Sequence, residues 1–436
     1  MQPPLPPQRS ESAVRDAVYW FNRKTAPLPP LAAITTADAV VVGGGMMGLM
    51  CARTLAARGM SVSLVEATTC GGAASGRSSG FITPDSELEF ADLVEHFGPQ
   101  HAPKLWEFAC GGLNLIRTAI KEHAIDCDYC VQDALMVAAR HRAAGSLTAE
   151  HDARGAAGFA STLHTSDTLP AALGGACYFG GLRFTGTFGI DAYRCCVGLR
   201  EHLRATGVRI FEQSPVTRLS SQGVETAAGR IDAAHVVVCT DRFLPLLGLA
   251  PREVYHAQTF LAISEPLPDA ELSRLFPQGP LMVWDTALVY QYFRITGEQR
   301  LLIGGGTLAS TYAARERHDP EWVARRLSSY LARHFPWLRF RFHAAWPGLI
   351  GISKDFAPLI GRHPTAANVH FAGGAAGLPW AAALGRYLAD KIANGRNDLD
   401  PLLAVDRDFP IGPRLQSVIG RRVAFALSHG IMKLRA

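Results

Sequence analysis

The chain has 436 residues, 48% of them hydrophobic and 19% charged, enough for two or three folding units around a sizeable core. No apolar run approaches the roughly 18–20 residues needed to span a membrane, and residues 1–24 lack the apolar stretch of a secretory signal, which predicts a cytoplasmic protein. The formal net charge of +5 equals the excess over 414–436, where Arg414, Arg421, Arg422, Lys433 and Arg435 stand without an acid. The body is therefore neutral and gives no support for nucleic-acid binding.

Residues 1–35 read as a Pro-rich N-terminal extension. Tyr19, Trp20 and Phe21 should dock on the body, and Pro27, Pro29 and Pro30 make an extended connector. An apolar run over 39–42 then enters Gly43-x-Gly45-x-x-Gly48. A helical stretch over 49–57 closes at Gly59, and a second apolar run over 62–65 ends on Glu66. This order predicts a β-α-β dinucleotide unit. Gly43 permits the tight turn, Gly45 admits a pyrophosphate to the backbone, and Gly48 lets helix and strand pack closely. Met46 and Met47 open the helix whose free N–H groups would face phosphate. Glu66, followed by Ala67, can accept both ribose hydroxyls and would repel a 2′-phosphate, which leaves FAD or NAD.

The next segment separates these two. Residues 71–80 are small: Ala74 and Gly76 allow a flat ligand close to the backbone, and Ser75, Arg77, Ser78 and Ser79 offer donors before Gly80. An NAD dehydrogenase has no need of such a loop, so FAD is expected. At this loop the chain resembles the D-amino-acid-oxidase-like family of flavoproteins, which includes glycine oxidase, sarcosine oxidase and gamma-glutamylputrescine oxidase.

Helical spacing continues over 86–124, and 130–185 mixes short strands and turns. A helix is expected over 191–205, then strands over 208–211, 215–219 and 229–240. Long strands follow at 259–264, 281–285, 287–296 and 300–304, then a helix at 321–334. Ser264-Glu265-Pro266-Leu267 and Arg300 to Gly305 are similar to strands of the same family, as is the close of the chain. There Trp346-Pro347-Gly348 and Asp355 to Gly361 precede a strand over 368–371, a turn through Gly374 and Gly377, and a helix over 381–393 ended by Gly395.

The resemblance covers about 18–396 and implies an α/β fold. Its Rossmann-like, glutathione-reductase-like FAD-binding domain would comprise 36–125, 186–250 and 346–400. A discontinuous antiparallel-sheet substrate domain would comprise 126–185 and 251–345. It implies that Val216 contacts adenine through its backbone, that Cys239 and Thr240 pass beneath the cofactor, and that Gly348, Gly374, Gly377, Leu378 and Pro379 bring a helix N-terminus against the flavin. It also implies oxidation of a C–N bond in a small-molecule amine or amino acid, by hydride transfer to flavin N5, with oxygen or another acceptor taking the electrons. Substrate contacts would come from Tyr290, Tyr292, Arg294 and Trp346, with Lys354, Leu378 and Trp380 as further possibilities of the same kind. Arg294 is the natural carboxylate clamp, because a guanidinium fork fits a carboxylate bidentately.

Two departures from the family bear on chemistry. Members that tether flavin do so through a cysteine before the final strand; 346–369 has none, so FAD is expected to be non-covalent. Leu301-Leu302-Ile303 stands where some members carry a lysine near flavin N5, which points away from fast oxygen reduction. The nine cysteines form no metal-ligand pattern beyond a lone Cys127-x-x-Cys130 and read as buried reduced thiols; no metal is expected. Residues 401–436 read as a basic tail, with Leu415, Val418, Ile419, Val423, Ala426 and Leu427 on one helical face. That face would dock on the body, on a partner protein, or on the inner face of a membrane. Two other functions stay open: an FAD-binding interaction subunit with little turnover, and a flavoprotein 2-hydroxy-acid dehydrogenase.

Overall fold

The parallel core of the molecule explains the apolar run at its start. Strand Ile34–Val42 lies between the parallel strands Val62–Val65 and Arg230–Val238, so residues 39–42 are buried on both faces. Arg209–Phe211 extends the sheet beyond Val62–Val65. On the other side, Arg230–Val238 pairs first with a hairpin of Gly223–Thr226 and Val216–Ser220, then over 236–238 with Ala366–Gly373. The structure, a computed structural model, describes residues 14–23, 25–85, 87–312 and 316–435, with backbone alone for 433–435. The Pro-rich start over 1–13 and the side chains of Lys433 and Arg435 lie outside the described residues.

Helix Met46–Ala57 begins at Gly45 rather than at 49, and packs between this sheet and helix Leu378–Asn394 in the largest apolar cluster. The helical region over 86–124 resolves into Phe90–Phe97 and Ala102–Glu122. Asp191 caps helix Ala192–Ala205 by accepting from the Arg194 N–H.

A nine-stranded sheet faces the carboxyl ends of the parallel strands. Its order is Arg15–Asp16, Phe342–Ile352, Tyr255–Pro266, Arg300–Gly305, Tyr292–Ile295, Leu281–Asp285, Asp133–Val137, Gly181–Phe184 and Thr162–His164. Side chains alternate as a half-covered sheet requires. Phe293, Ile295, Leu301 and Ile303 turn outward against helix Pro320–His334. Leu302 and Trp346 turn inward with Trp20 and Tyr193. Strand Phe342–Ile352 pairs with Tyr255–Pro266 along its whole length, so Trp346 and Gly348 belong to this sheet and the expected limit at 345 falls inside a strand. The expected strand over 287–296 shortens to Tyr292–Ile295, because the Asp285 carboxylate accepts from the N–H groups of Ala287 (3.0 Å) and Gln291 (3.4 Å) and bends 286–291 into a loop. Not every thiol is buried: Cys177 is exposed and Cys110 and Cys130 are partly so.

The end of the chain departs most from expectation. Residues 401–412 are stitched into the body, with a parallel bridge from Ile360 to Ala404 and Arg407 gripping the fully buried Asp355 at 2.7 and 2.8 Å. Gly420, with φ of +81°, then breaks the tail into Pro413–Ile419 and Arg421–Arg435. The docked face carries Gln416, Ala424, Phe425, Ser428, His429 and Met432, while Leu415, Val418, Val423 and Leu427 of the expected face stay exposed. Polar anchors decide this: Arg421 donates to Val254 O, and His429 Nε2 lies 2.7 Å from Ser353 O with its ring stacked on Phe356.

Burial alone would raise the Asp355 carboxyl, but the Arg407 guanidinium and His96 beside it hold it well below the usual carboxylate range. Such a group stabilises the fold fully above its unfolded pKa of about 4, and that contribution is lost as pH falls. Arg407→Ala should therefore cost about 3–5 kcal/mol at neutral pH, since it strands a buried charge. Urea unfolding across pH should show the gap to wild type narrowing from about pH 4 downward, as the unfolded chains take up the proton, and closing only once pH passes the depressed value of folded wild-type Asp355.

Candidate active site

The carboxyl ends of the parallel strands gather the glycine turn. A Cβ on Gly48 would lie 1.9 Å from Gly43 O, so the helix can approach the strand only with glycine there. Gly45 differs: its φ is ordinary (−80°), and a Cβ would meet only the tip of Ser75 at 3.1 Å. The open space over Gly45 is what a pyrophosphate would occupy, and Gly45 itself offers no capping side chain to the helix it begins. Ser75 Oγ accepts from the Met46 N–H (3.0 Å), tying the serine-rich loop to that helix end, and Met47 is buried behind it. Glu66 accepts from Gly44 N–H and from the Thr68 N–H, both at 2.8 Å, so its carboxylate stands at the turn, with Ala67 exposed beside it. Val216 opens its strand half-buried; Cys239 is buried, and the Thr240 hydroxyl is buried without a hydrogen-bond partner.

From this edge a cavity of about 720 Å³ runs between the loop and the inner face of the large sheet. Ala74, Arg77, Ser78 and Ser79 line one side, with Tyr290, Tyr292 and Gly348 opposite. Gly377 and Leu378 stand at one end, at the uncapped N-terminus of helix Leu378–Asn394; Gly374 (φ +65°) turns the chain into it and Pro379 occupies its first turn. The Tyr292 hydroxyl lies 3.3 Å from Thr259 Oγ1, and Arg77 Nε is buried without a partner. These open donors, uncapped helix ends and side-chain-free approaches suit a dinucleotide carrying a flat ring.

Four of the seven expected substrate contacts lie elsewhere. Arg294 is wholly buried, and its guanidinium donates to the carbonyls of Ser79 (2.8 Å), Ile190 (2.6 Å) and Ile295 (3.2 Å). Burial pulls its pKa down to about 10. It is spent on backbone and does not reach the cavity, so it is no carboxylate clamp. Trp346 is likewise buried and donates to Arg77 O at 3.0 Å. Trp380 donates to Pro84 O, and Lys354 to Ile411 O. Together with Trp20, which donates to Ser78 O at 2.9 Å, Trp346 and Arg294 engage three successive carbonyls of the loop, at 77, 78 and 79. Gly76 and Gly80, both buried, flank that run.

Two features were not foreseen from sequence. Asp241 accepts from Gly351 N–H (2.6 Å) and Gly374 N–H (3.0 Å), joining the large sheet to the turn before the last helix; burial raises its carboxyl. Asp85, Glu87 and Glu89 line the cavity at the side away from Gly348. A lone Asp after a strand gives no local signal when its partners lie 110 and 133 residues on.

The family model for FAD-dependent oxidoreductases of the DAO type matches residues 38–391. The chain belongs to that family. FAD is accordingly its cofactor, and the fold is that of DAO-type flavoenzymes with a Rossmann-like domain. The chain is 29% identical to gamma-glutamylputrescine oxidoreductase of Escherichia coli, over 81% of this chain and 82% of that one. It is 25% identical to glycine oxidase of Bacillus subtilis, over 85% and 97%. In structure it resembles glycine oxidase of Geobacillus kaustophilus, with a TM-score of 0.73 at 19% identity, covering 87% of this chain and all of that one. It also resembles L-proline dehydrogenase of P. horikoshii, with a TM-score of 0.70 at 18% identity over 85% and 96%.

Gly45→Val should abolish FAD retention while costing the apoprotein no more than about 1 kcal/mol, whereas Gly48→Ala should cost about 1–3 kcal/mol through the clash itself. Flavin content and denaturant midpoints measured on both variants separate the two roles. Arg294→Met should lower flavin affinity and stability by leaving buried carbonyls unpaired, about 1–3 kcal/mol each. A variant with full flavin and only a raised substrate KM would restore the clamp.

Proposed function

We propose that this flavoenzyme oxidises a C–N bond of an amine or amino acid, with FAD held non-covalently. The observation that carries the reading is the cavity: it joins the flavin loop at 74–79 to a wall with two tyrosines and the helix end at Gly377, and is large enough for a ring and a small substrate. The relatives named above, a glutamylputrescine oxidoreductase and a glycine oxidase, act on such compounds by name. When bound, FAD supplies the two-electron acceptor for the reaction.

The chain's own groups orient and desolvate. Tyr290 and Tyr292 stand with ring centroids 5.5 Å apart, and Phe81 meets Tyr292 edge-on at 5.6 Å, so the wall facing the flavin loop is aromatic and half-buried. Burial drives the Tyr292 hydroxyl up to about 12, which keeps it a neutral donor at working pH and not a base. No histidine lines the cavity among the described residues, so a substrate amine arrives neutral or sheds its proton to water or to a lining carboxylate such as Glu87. With Arg294 withdrawn, amino acids and 2-hydroxy acids alike lose the expected carboxylate clamp, and the nitrogen reading stands on the relatives. Anaerobic mixing with amines, amino acids and 2-hydroxy acids should bleach the visible flavin band with nitrogen compounds only.

The acceptor follows from charge. Leu302 is buried among Trp20, Tyr193 and Trp346, Lys354 is engaged with Ile411 O, and the basic groups lining the cavity among the described residues are Arg77 and Arg142. A cation at the reacting centre would be the main stabiliser of reduced oxygen. Reduced enzyme should therefore reoxidise more slowly with oxygen than with a quinone or dye in stopped flow. Reoxidation by oxygen as fast as reduction by substrate would make it an ordinary oxidase.

The tail supports a peripheral contact. Leu415, Val418, Val423 and Leu427 are exposed beside Arg414 and Arg422, an apolar and basic surface suited to anionic lipid. Leu415→Ser with Val418→Ser should reduce sedimentation with anionic vesicles at low salt and leave flavin content unchanged.

A further inference from the structure

Among the described residues no histidine faces the cavity, but one stands a single hydrogen bond behind its wall. Tyr312 lines the cavity together with Ile352, Phe356 and Gly430. Its hydroxyl lies 2.5 Å from Nδ1 of His429, on helix Arg421–Arg435. Nε2 of the same ring lies 2.7 Å from Ser353 O. His429 is fully buried, with its ring stacked on Phe356 at 3.8 Å between centroids. The protons on this chain of contacts are set by its far end. A carbonyl oxygen only accepts, so Nε2 carries hydrogen and donates to Ser353. In the neutral ring Nδ1 is then the acceptor, and the Tyr312 hydroxyl donates to it. The hydroxyl oxygen keeps lone pairs for a donor arriving from the cavity.

Burial, with Glu87 nearby, raises the Tyr312 hydroxyl well above its ordinary value, so it does not rest as a tyrosinate. Two protons can instead move together. A substrate ammonium gives one to the Tyr312 oxygen while the hydroxyl proton passes to His429 Nδ1. One N–H and one O–H bond break, one O–H and one N–H bond form, and the positive charge ends on the imidazolium. That cation keeps Ser353 O as its acceptor at Nε2 and lies on the face of Phe356, an arrangement that favours a charge. Around the pair, strand Tyr255–Pro266 brings Tyr255 and His256, and the helix itself carries Arg421 and Arg422. Beyond Ser353, Lys354 is held by Ile411 O, and Asp355 by Arg407 and His96. Glu87, on the cavity side, is the competing proton acceptor.

We propose that Tyr312 and His429 relay the proton of a substrate ammonium out of the cavity, so that the charged form of the amine is the one the protein takes up. This rests on the C–N reading above and adds the missing base to it. The gain is large, because an alkylamine with a pKa like that of lysine, about 10.4, is neutral in only roughly one molecule in 2,500 at pH 7.

The test follows anaerobic flavin bleaching in the FAD-loaded protein across pH, with pentylamine, 1,5-diaminopentane and glycine offered and the fastest kept as the probe. In wild type the second-order rate should stay level within about threefold from pH 8 to 10. His429→Gln keeps an acceptor for Tyr312 and a donor for Ser353 but cannot take up a proton. Its rate should be at least about thirtyfold lower at pH 8 and climb about tenfold per pH unit towards the pKa of the probe, since only neutral amine then reacts. Tyr312→Phe should behave the same way. Above about pH 10 both variants should return to within about threefold of wild type, a recovery that a damaged fold would not give. Flavin content reports folding; should His429→Gln not retain flavin, Tyr312→Phe decides. A wild-type rate that itself climbs tenfold per unit, or variants that stay level, overturns the relay and leaves the C–N reading standing. So does a deficit that persists undiminished above pH 10. A level profile lost only in Glu87→Gln assigns the proton to that carboxylate and likewise overturns the relay. Bleaching by none of the three compounds overturns the C–N reading and the relay with it.

Discussion

Three carbonyl groups hold the two halves of this molecule together. Arg77, Ser78 and Ser79 present their backbone oxygens to Trp346, Trp20 and Arg294, donors that lie 269, 58 and 215 residues away in sequence. A small-residue loop has little packing of its own, and its shape must come from outside. Here it comes from the sheet and from the N-terminal segment, each contributing a rigid aromatic or guanidinium donor in a buried place. The small-residue loop beside the cavity is therefore positioned by the large sheet that lines the cavity's other side. A shift of either half is felt by the other.

The same logic recurs at single acids. Asp241 ties Gly351 of the large sheet to Gly374 before the last helix, and Asp355 is held by Arg407 from the far end of the chain. Glu212, fully buried, accepts from the N–H groups of Leu28 and Cys70 and pairs with Arg200. Each carboxylate closes a connection between segments remote in sequence. A buried acid of this kind adds less to net stability than its contacts suggest, yet removing its partner is expensive. Such acids set which arrangement of the two halves is allowed.

The dinucleotide half was legible because its signals are local. Gly43, Gly45 and Gly48 sit within one turn of each other, and the apolar runs flanking them need no knowledge of the rest. The helix over Leu378–Asn394 was legible from Gly377 and Gly395 for the same reason, though it begins three residues before the expected 381. Arg294 misled although alternation puts it on the same inner face as Tyr292, because sequence does not show what meets that face at each position. Tyr292, two residues before it, reaches the cavity. Arg294 comes instead to the carbonyls of Ser79 and Ile190, which only the tertiary fold brings there. The acids at 87 and 89 fell in a stretch read as helical from 86 onward, whereas the first helix there begins at Phe90; the tail read as one amphipathic helix until Gly420 divided it and polar contacts chose its face.

One wall of the cavity includes Gly430, and nearby the Tyr312 hydroxyl meets His429. That wall comes from a helix remote in sequence from the glycine turn and packed on neither of the parallel strands that flank it. The two ends of the chamber can therefore vary separately: a bulkier residue at 430 would narrow the space while the turn through Gly43 and Gly45 keeps its shape.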